Sequence, residues 1–218
     1  MPIMTFPSPD TRHPLKGADG TPQDGTVFLK TAIDHPRIKV GTYTYASAFD
    51  PPADWAARLA HYTFDFSPER LIIGKFCQIA VGVTFITASA NHRFDGGSSY
   101  PFGIFTGDHS GPSMPTAGPD TIIGSDVWIG QGARILPGAQ IGDGVIIGAV
   151  AVVAGQVPPY SIAAGNPARV VRRRFDDATI ARLCELPWWN RPIEHIVASE
   201  AAISRGDIAA FDAAAKEV

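Results

Sequence analysis

Cut every six positions, residues 123–157 read IGSDVW, IGQGAR, ILPGAQ, IGDGVI, IGAVAV and VAGQV. An aliphatic residue opens each block: Ile123, Ile129, Ile135, Ile141, Ile147 and Val153. Gly or Ala often follows it, as in Gly124, Gly130, Gly142, Gly148 and Ala154. A small residue or Val stands two places before the next opener, at Val127, Ala133, Ala139, Val145 and Ala151. A helix repeats at about 3.6 and a lone strand at about 2, so neither accounts for a period of six. A parallel β-solenoid with three short faces per coil does. Each hexapeptide supplies one face, its aliphatic side chain fills the core, and the small residue after it lets the backbone turn.

Upstream, the same signature begins at Ile38-Lys39-Val40-Gly41-Thr42-Tyr43-Thr44-Tyr45 and stops for residues 46–70, where a helical piece is expected around residues 54–61. It resumes at Ile73, Ile79 and Phe85 and breaks at Asn91. Residues 91–120 are polar and rich in Gly and Pro; a loop this long inside a compact domain is usually functional or disordered. Its rings, Phe94, Tyr100, Phe102 and Phe105, argue against disorder. Residues 1–25 look like an extended arm, and Val27 to Ile33 fit a strand or a helix equally.

After Val157 the repeat ends in Pro158-Pro159. Asp176 or Asp177 can cap a helix through Ile180, Leu183 and Cys184 that Pro187 stops. A second helix is expected over Ile193, Ile196 and Val197, and a short one near Ile208 and Phe211. This tail is predicted to shield the unpaired last coil. The organisation is thus an N-terminal arm (1–37), a solenoid (38–174) with insertions 46–70 and 91–120, and a C-terminal helical segment (175–218).

Apolar residues make up 45% of the 218 positions and charged residues 18%, which suits a globular chain and not a disordered one. The formal charge of −3 argues against a general nucleic-acid binder. Met1-Pro2-Ile3-Met4 is no signal peptide, and no apolar run approaches the roughly 20 residues of a membrane span. Cys77 and Cys184 form no CxxC pair; both are expected in the core, as in a reducing cytoplasm.

His92 stands where the coil opens into the long loop, and an imidazole there can take a proton from a hydroxyl near neutral pH. Asp95, the backbone or another side chain can orient it. A catalytic zinc would need three protein ligands; His92 has no histidine at a neighbouring coil position and His109 lies across the loop, so no metal is expected. A nucleophile is equally poorly supported: Cys77 points inward and no Gly-x-Ser-x-Gly elbow is present. Arg169, Arg172, Arg173 and Arg174 form the dense basic cluster. They fit a solvated face, nucleic acid or the phosphates of a coenzyme, nucleic acid being the least compatible with the net charge.

The chain resembles the hexapeptide-repeat xenobiotic acetyltransferases, which include the type B chloramphenicol and the streptogramin A (virginiamycin) acetyltransferases. The resemblance runs from about Val40 to Ile196. It rests on Gly74-Lys75-Phe76-Cys77, Ala90-Asn91-His92-Arg93-Phe94-Asp95-Gly96, Tyr100-Pro101-Phe102, Asp126-Val127-Trp128-Ile129-Gly130, Gly165-Asn166-Pro167-Ala168 and Trp188-Trp189-Asn190-Arg191-Pro192. It implies a left-handed parallel β-helix, against the usual right-handed crossover, and a homotrimer with active sites between subunits. His92 is then the general base. Acetyl-CoA lies along the late coils, against Trp128, Gly148, Ala149, Ala154, Gly165, Asn166, Arg169, Arg173 and Arg174. The acceptor borders Tyr43, Tyr45, Asn91, Tyr100, Phe102 and Phe105.

Residues 46–68 and 103–120 depart from the family's pattern, which leaves the identity of the acceptor open; the run around His92 is nearer the streptogramin group. Two other readings stand beside an antibiotic acceptor: acetylation of a sugar, serine or other metabolite, and a solenoid that binds without turnover. The aromatic loop favours an apolar acceptor over a polar one.

Overall fold

The computed structural model describes residues 6–210. Residues 6–25 are mostly irregular, with one isolated bridge between Lys16 and Pro22. Strand β1 (Thr26–Phe28) runs directly into helix α1 (Leu29–Ala32), so the segment that fitted strand or helix is both. Val27, Phe28 and Leu29 are all buried. A strand sends alternate residues to opposite faces, and the change of element in mid-run lets three successive apolar side chains point inward.

The chain continues through β2 (Ile38–Val40), β3 (Tyr45–Ser47), α2 (Trp55–Ala60), β4 (Leu71–Ile73), β5 (Gln78–Ile79), β6 (Thr84–Phe85) and α3 (Phe102–Thr106). Then come β7 (Thr121–Ile123), β8 (Trp128–Ile129), β9 (Arg134–Ile135), β10 (Gln140–Ile141), β11 (Ile146–Ile147), β12 (Val152–Val153), β13 (Gln156–Val157), β14 (Ser161–Gly165) and β15 (Ala168–Arg173). Helices α4 (Asp177–Glu185), α5 (Ile193–Ala198) and α6 (Glu200–Arg205) follow. The expected short helix near Ile208 and Phe211 falls partly outside the described residues, since Phe211 lies beyond them.

Three sheets share the strands in rotation. The first stacks β2, β4, β7, β10 and β13; the second β3, β5, β8, β11 and β14; the third β6, β9 and β12, with all these pairs parallel. The chain therefore visits each face once per coil. Core residues align in columns: Val40, Ile73, Ile123, Ile141 and Val157 on the first face, and Ala46, Ile79, Ile129, Ile147 and Ala163 on the second. Phe85, Ile135 and Val153 form the third. All but the partly buried Val40 are buried, as are Cys77, Val83, Val127, Ala133, Ala139, Val145 and Ala151 at the preceding small position. The first coil has no third-face strand. There α2, capped by Asp54 accepting from the Ala57 N–H at 3.0 Å, packs its buried Trp55 and Leu59 over the end of the third sheet beside β6.

The role first read for the glycine after each core aliphatic is corrected here. The turn lies two residues later, where Gly82, Gly132, Gly138 and Gly144 adopt positive φ, and Tyr43, Phe76, Asp126, Val150 and Tyr160 adopt it without being glycine. The glycine next to the aliphatic instead lets adjacent coils touch. A Cβ on Gly74 would lie 2.6 Å from the Gly124 carbonyl carbon, and one on Gly130 would lie 2.7 Å from the Ala149 nitrogen.

The tail also differs from expectation. The last coil's second-sheet edge is covered by β15, which folds back antiparallel on β14, just as β1 covers the opposite edge on β3. The helical segment instead runs back along one corner of the solenoid. Trp188 packs on Phe76 with centroids 4.9 Å apart, and the Lys75 ammonium donates to Asn190 Oδ1 at 3.0 Å. Helix α4 is capped by Asp176, which accepts from the Thr179 N–H at 2.7 Å. Its Ile180 is buried, but Cys184 is exposed, contrary to the core position expected of it. Cys184 is only about 40° round the helix from Ile180 but one turn further along, where that face is no longer covered.

Candidate active site

The ends of both insertions are fastened before His92 is reached. Leu71 and Thr121 are partners where the chain re-enters the coils, and just outside them Arg70 grips Asp120 through Nε at 3.0 Å and Nη2 at 2.7 Å. Buried Glu69 accepts from the Ser89 N–H at 2.7 Å, Ser67 and Ser89 hydroxyls meet at 2.8 Å, and Thr87 Oγ1 donates to the Tyr62 carbonyl at 3.0 Å. These bonds clamp the 3-10 turn at Ala88–Ala90, which leads into Asn91 and His92. Glu69 is a positioning group that no sequence pattern flagged, because a lone acid beside the restart of the repeat carries no spacing signal.

His92 is exposed, and its Nδ1 lies 3.0 Å from the Ser99 carbonyl oxygen. A carbonyl only accepts, so Nδ1 carries the proton, and in the neutral ring Nε2 holds the lone pair. Of the three orienting groups open from sequence, the backbone does it. Asp95 is engaged elsewhere: Arg93 binds it through Nε at 2.7 Å, which holds its carboxyl below the usual carboxylate range. The Arg93 Nη1 also reaches the Pro112 carbonyl at 2.7 Å and ties the two limbs of the loop together.

His92 and Asn91 line a cavity of about 740 Å³ whose apolar wall includes Phe64, Phe66, Pro101 and Ile104. Phe64 and Phe66 are parallel, 5.0 Å apart. His109 lines the same cavity, but among the described residues no three His, Cys, Asp or Glu side chains gather as a metal-binding set. Tyr100, Phe102 and Phe105 cluster on one another, with Tyr100 centroids 4.8 and 5.5 Å from the other two, and are not part of this cavity's wall. From helix α3, Ile104 lines the cavity while Phe102 and Phe105 are exposed outside it.

Tyr43 and Tyr45 line a different cavity, of about 530 Å³, with Phe28, Phe76 and Trp188. Tyr43 stacks on Phe76 at 4.7 Å and meets Phe28 edge-on at 5.7 Å; burial raises its phenol above the ordinary value. Within one chain, then, the histidine and the two tyrosines are not brought together. Trp128 is half-exposed on the same sheet face as Tyr45, one strand beyond Gln78. Gly148, Ala149 and Ala154 sit at corners of later coils, and Gly165, Asn166 and Arg169 at the tip of the β14–β15 hairpin. Arg169 and Arg173 are exposed, whereas Arg174 turns onto the solenoid: its Nη1 donates to the Gly144 carbonyl at 2.6 Å and lies 3.9 Å from Asp126.

Residues 120–155 match the family model of the bacterial transferase hexapeptide (six repeats). The chain is 38% identical over 190 residues to a chloramphenicol acetyltransferase of Agrobacterium fabrum, covering 85% of this chain and 90% of that one. It is 41% identical over 207 residues to a virginiamycin A acetyltransferase of Staphylococcus aureus, covering 93% and 90%. A probable macrolide acetyltransferase of Lysinibacillus sphaericus is 47% identical over 150 residues, covering 66% and 82%.

Proposed function

The chain belongs to the hexapeptide-repeat xenobiotic acetyltransferases, and from that premise we propose that it transfers the acetyl group of acetyl-CoA to a hydroxyl of an apolar, antibiotic-like acceptor. His92 Nε2 takes the hydroxyl proton as the acceptor oxygen attacks the thioester carbonyl; the C–S bond breaks and the proton passes to the leaving thiolate. No covalent enzyme intermediate is formed. The observation that carries this reading is the Ser99 carbonyl on His92 Nδ1, which leaves Nε2 as the base beside an apolar cavity.

The rest of the reading follows family membership. The solenoid over 38–174 winds left-handed, with 1–37 as an arm and 175–218 as a helical strap. Three chains form a cytoplasmic trimer in which the His92 cavity of one subunit meets the Tyr43 and Tyr45 face of the next. The coenzyme lies along Trp128, Gly148, Ala149 and Ala154 toward Gly165, Asn166, Arg169 and Arg173. Support for the fit is local: Trp128 is half-exposed, Gly148 and Ala149 are small, and both arginines are open to solvent. Among the described residues no helix is long and apolar enough to cross a membrane.

Thiol release from acetyl-CoA tests this, with a streptogramin A, chloramphenicol, a galactoside and serine as acceptors. Turnover is expected on an antibiotic, and His92→Ala is expected to lose about 10²–10⁴-fold in rate while still binding coenzyme A. An alanine variant with undiminished turnover would remove His92 from the chemistry. Turnover confined to serine or the galactoside would overturn the acceptor class.

A further inference from the structure

Gln78 is the outward residue of β5, and the strand register sets it between Tyr45 of β3 and Trp128 of β8. It lines the cavity that holds Tyr43 and Tyr45, and also an adjoining one of about 250 Å³ that holds Trp128 and Gln131. Its Nε2 donates to the Phe76 carbonyl oxygen at 3.0 Å, and its side chain favours the ionised form of the neighbouring Asp126 carboxyl. That carbonyl only accepts, so Nε2 is held on the protein side and the amide cannot be flipped without opposing oxygen to oxygen. The remaining group, Oε1, is an acceptor that takes no hydrogen bond from the other described residues. Asp126 is itself fixed: its N–H donates to the Lys75 carbonyl at 2.9 Å, and the Arg174 guanidinium stands 3.9 Å from its carboxylate.

We infer that Gln78 contacts the substrates at the seam between acceptor and coenzyme, its Oε1 accepting a hydrogen bond from an N–H or O–H group laid across Tyr45 and Trp128, with Asp126 as the positioning residue that holds the amide in that sense. This rests on the acetyltransferase reading above. The donor belongs either to an amide of the coenzyme's pantetheine arm or to a second polar group of the acceptor, and the two are separable by which Michaelis constant responds.

The test measures kcat and both Michaelis constants in the wild type, Gln78→Met and Asp126→Asn, together with coenzyme A binding by calorimetry. Methionine keeps the length and volume of the side chain and removes the acceptor. Asp126→Asn removes the carboxylate charge that favours the NH₂ end of the Gln78 amide and leaves its sense to the Phe76 carbonyl alone. Gln78→Met is expected to raise one Michaelis constant by about tenfold, the worth of one hydrogen bond, and Asp126→Asn to raise the same constant by less, with kcat changed much less. A rise for acetyl-CoA, matched by weaker coenzyme A binding, supports the inference with the donor on the coenzyme; a rise for the acceptor alone supports it with the donor there. Constants unmoved in both variants, in an enzyme that turns over, overturn this inference alone. Wild type that neither binds coenzyme A nor releases thiol overturns the functional reading and takes this inference with it.

Discussion

Asp126 shows how a single side chain can be costly to the fold and still be kept. It occupies a turn position with φ of 55°, and burial, opposed by Arg174 and Gln78 and reinforced by Asp143, lifts its carboxyl to about 6. A carboxyl raised in the folded state binds a proton there that the unfolded chain has already lost. Its contribution is therefore whole below about pH 4, falls as pH climbs toward 6, and stays lost above that. The full loss is at most about 3 kcal/mol. Urea unfolding of the wild type and Asp126→Asn at pH 4, 6 and 8 should show the variant equal or weaker at pH 4 and gaining on the wild type up to pH 6. A difference that does not change with pH would mean the carboxyl titrates normally. Nothing in the string of residues announces this: an Asp in Gly-Ser-Asp-Val-Trp reads as a surface turn. Its burial exists only once Arg174 and the strap carrying Trp188 lie along the same corner.

At the scale of the element, the hexapeptide is two devices in one. The aliphatic opener and the small residue before it were readable from the period, because each side chain faces inward once per face and the pattern recurs in the sequence. The separate jobs of the following residues were not readable, because glycine serves both a close approach and a left-handed turn, and large residues fill the turn as well. The coordinates separate them. Gly124→Ala would set a Cβ 2.7 Å from the Asp143 nitrogen and 2.8 Å from the Gly142 carbon, both backbone atoms of the next coil. Overpacking of this kind costs about 1–3 kcal/mol, which outweighs the roughly 0.4–1 kcal/mol an alanine gains by restricting the unfolded chain. Gly97→Ala is the control, since a Cβ there meets nothing within 4 Å. Thermal unfolding should show a clear drop for Gly124→Ala and no loss for Gly97→Ala. Equal behaviour would mean the coils have room between them.

At the scale of the molecule, His92 and the two tyrosines sit on different cavities of one chain, and the proposed trimer is what would join them. Light scattering is expected to give three times the 23.2 kDa of the chain; a monomer that turns over would end the trimer proposal. Co-expression of His92→Ala with Tyr45→Ala supplies the sharper check. Each variant alone should be impaired. Mixed trimers should recover part of the activity, because some clefts then hold an intact His92 from one subunit and an intact Tyr45 from the next. No recovery would place both residues' work within one subunit.

The sequence by itself determined the coil, because a period of six is a statement about which side chains share a core, and that needs no partner from elsewhere in the chain. It also singled out His92 as a candidate, since the repeat breaks beside it, and it placed α2 as a helical piece and α4 through its Asp cap. Only the tertiary structure decided what holds and surrounds these features. Ser99 orients the imidazole through a backbone carbonyl, which has no residue identity to read, and Asp95 turns instead to Arg93. Glu69 and Arg70 fasten the site through partners 20 and 50 positions away. The tail runs along a corner because Phe76 and Lys75 offer Trp188 and Asn190 their contacts there, while β15 already covers the end. Such pairings depend on distance in space, and a six-residue period records distance only along the coil.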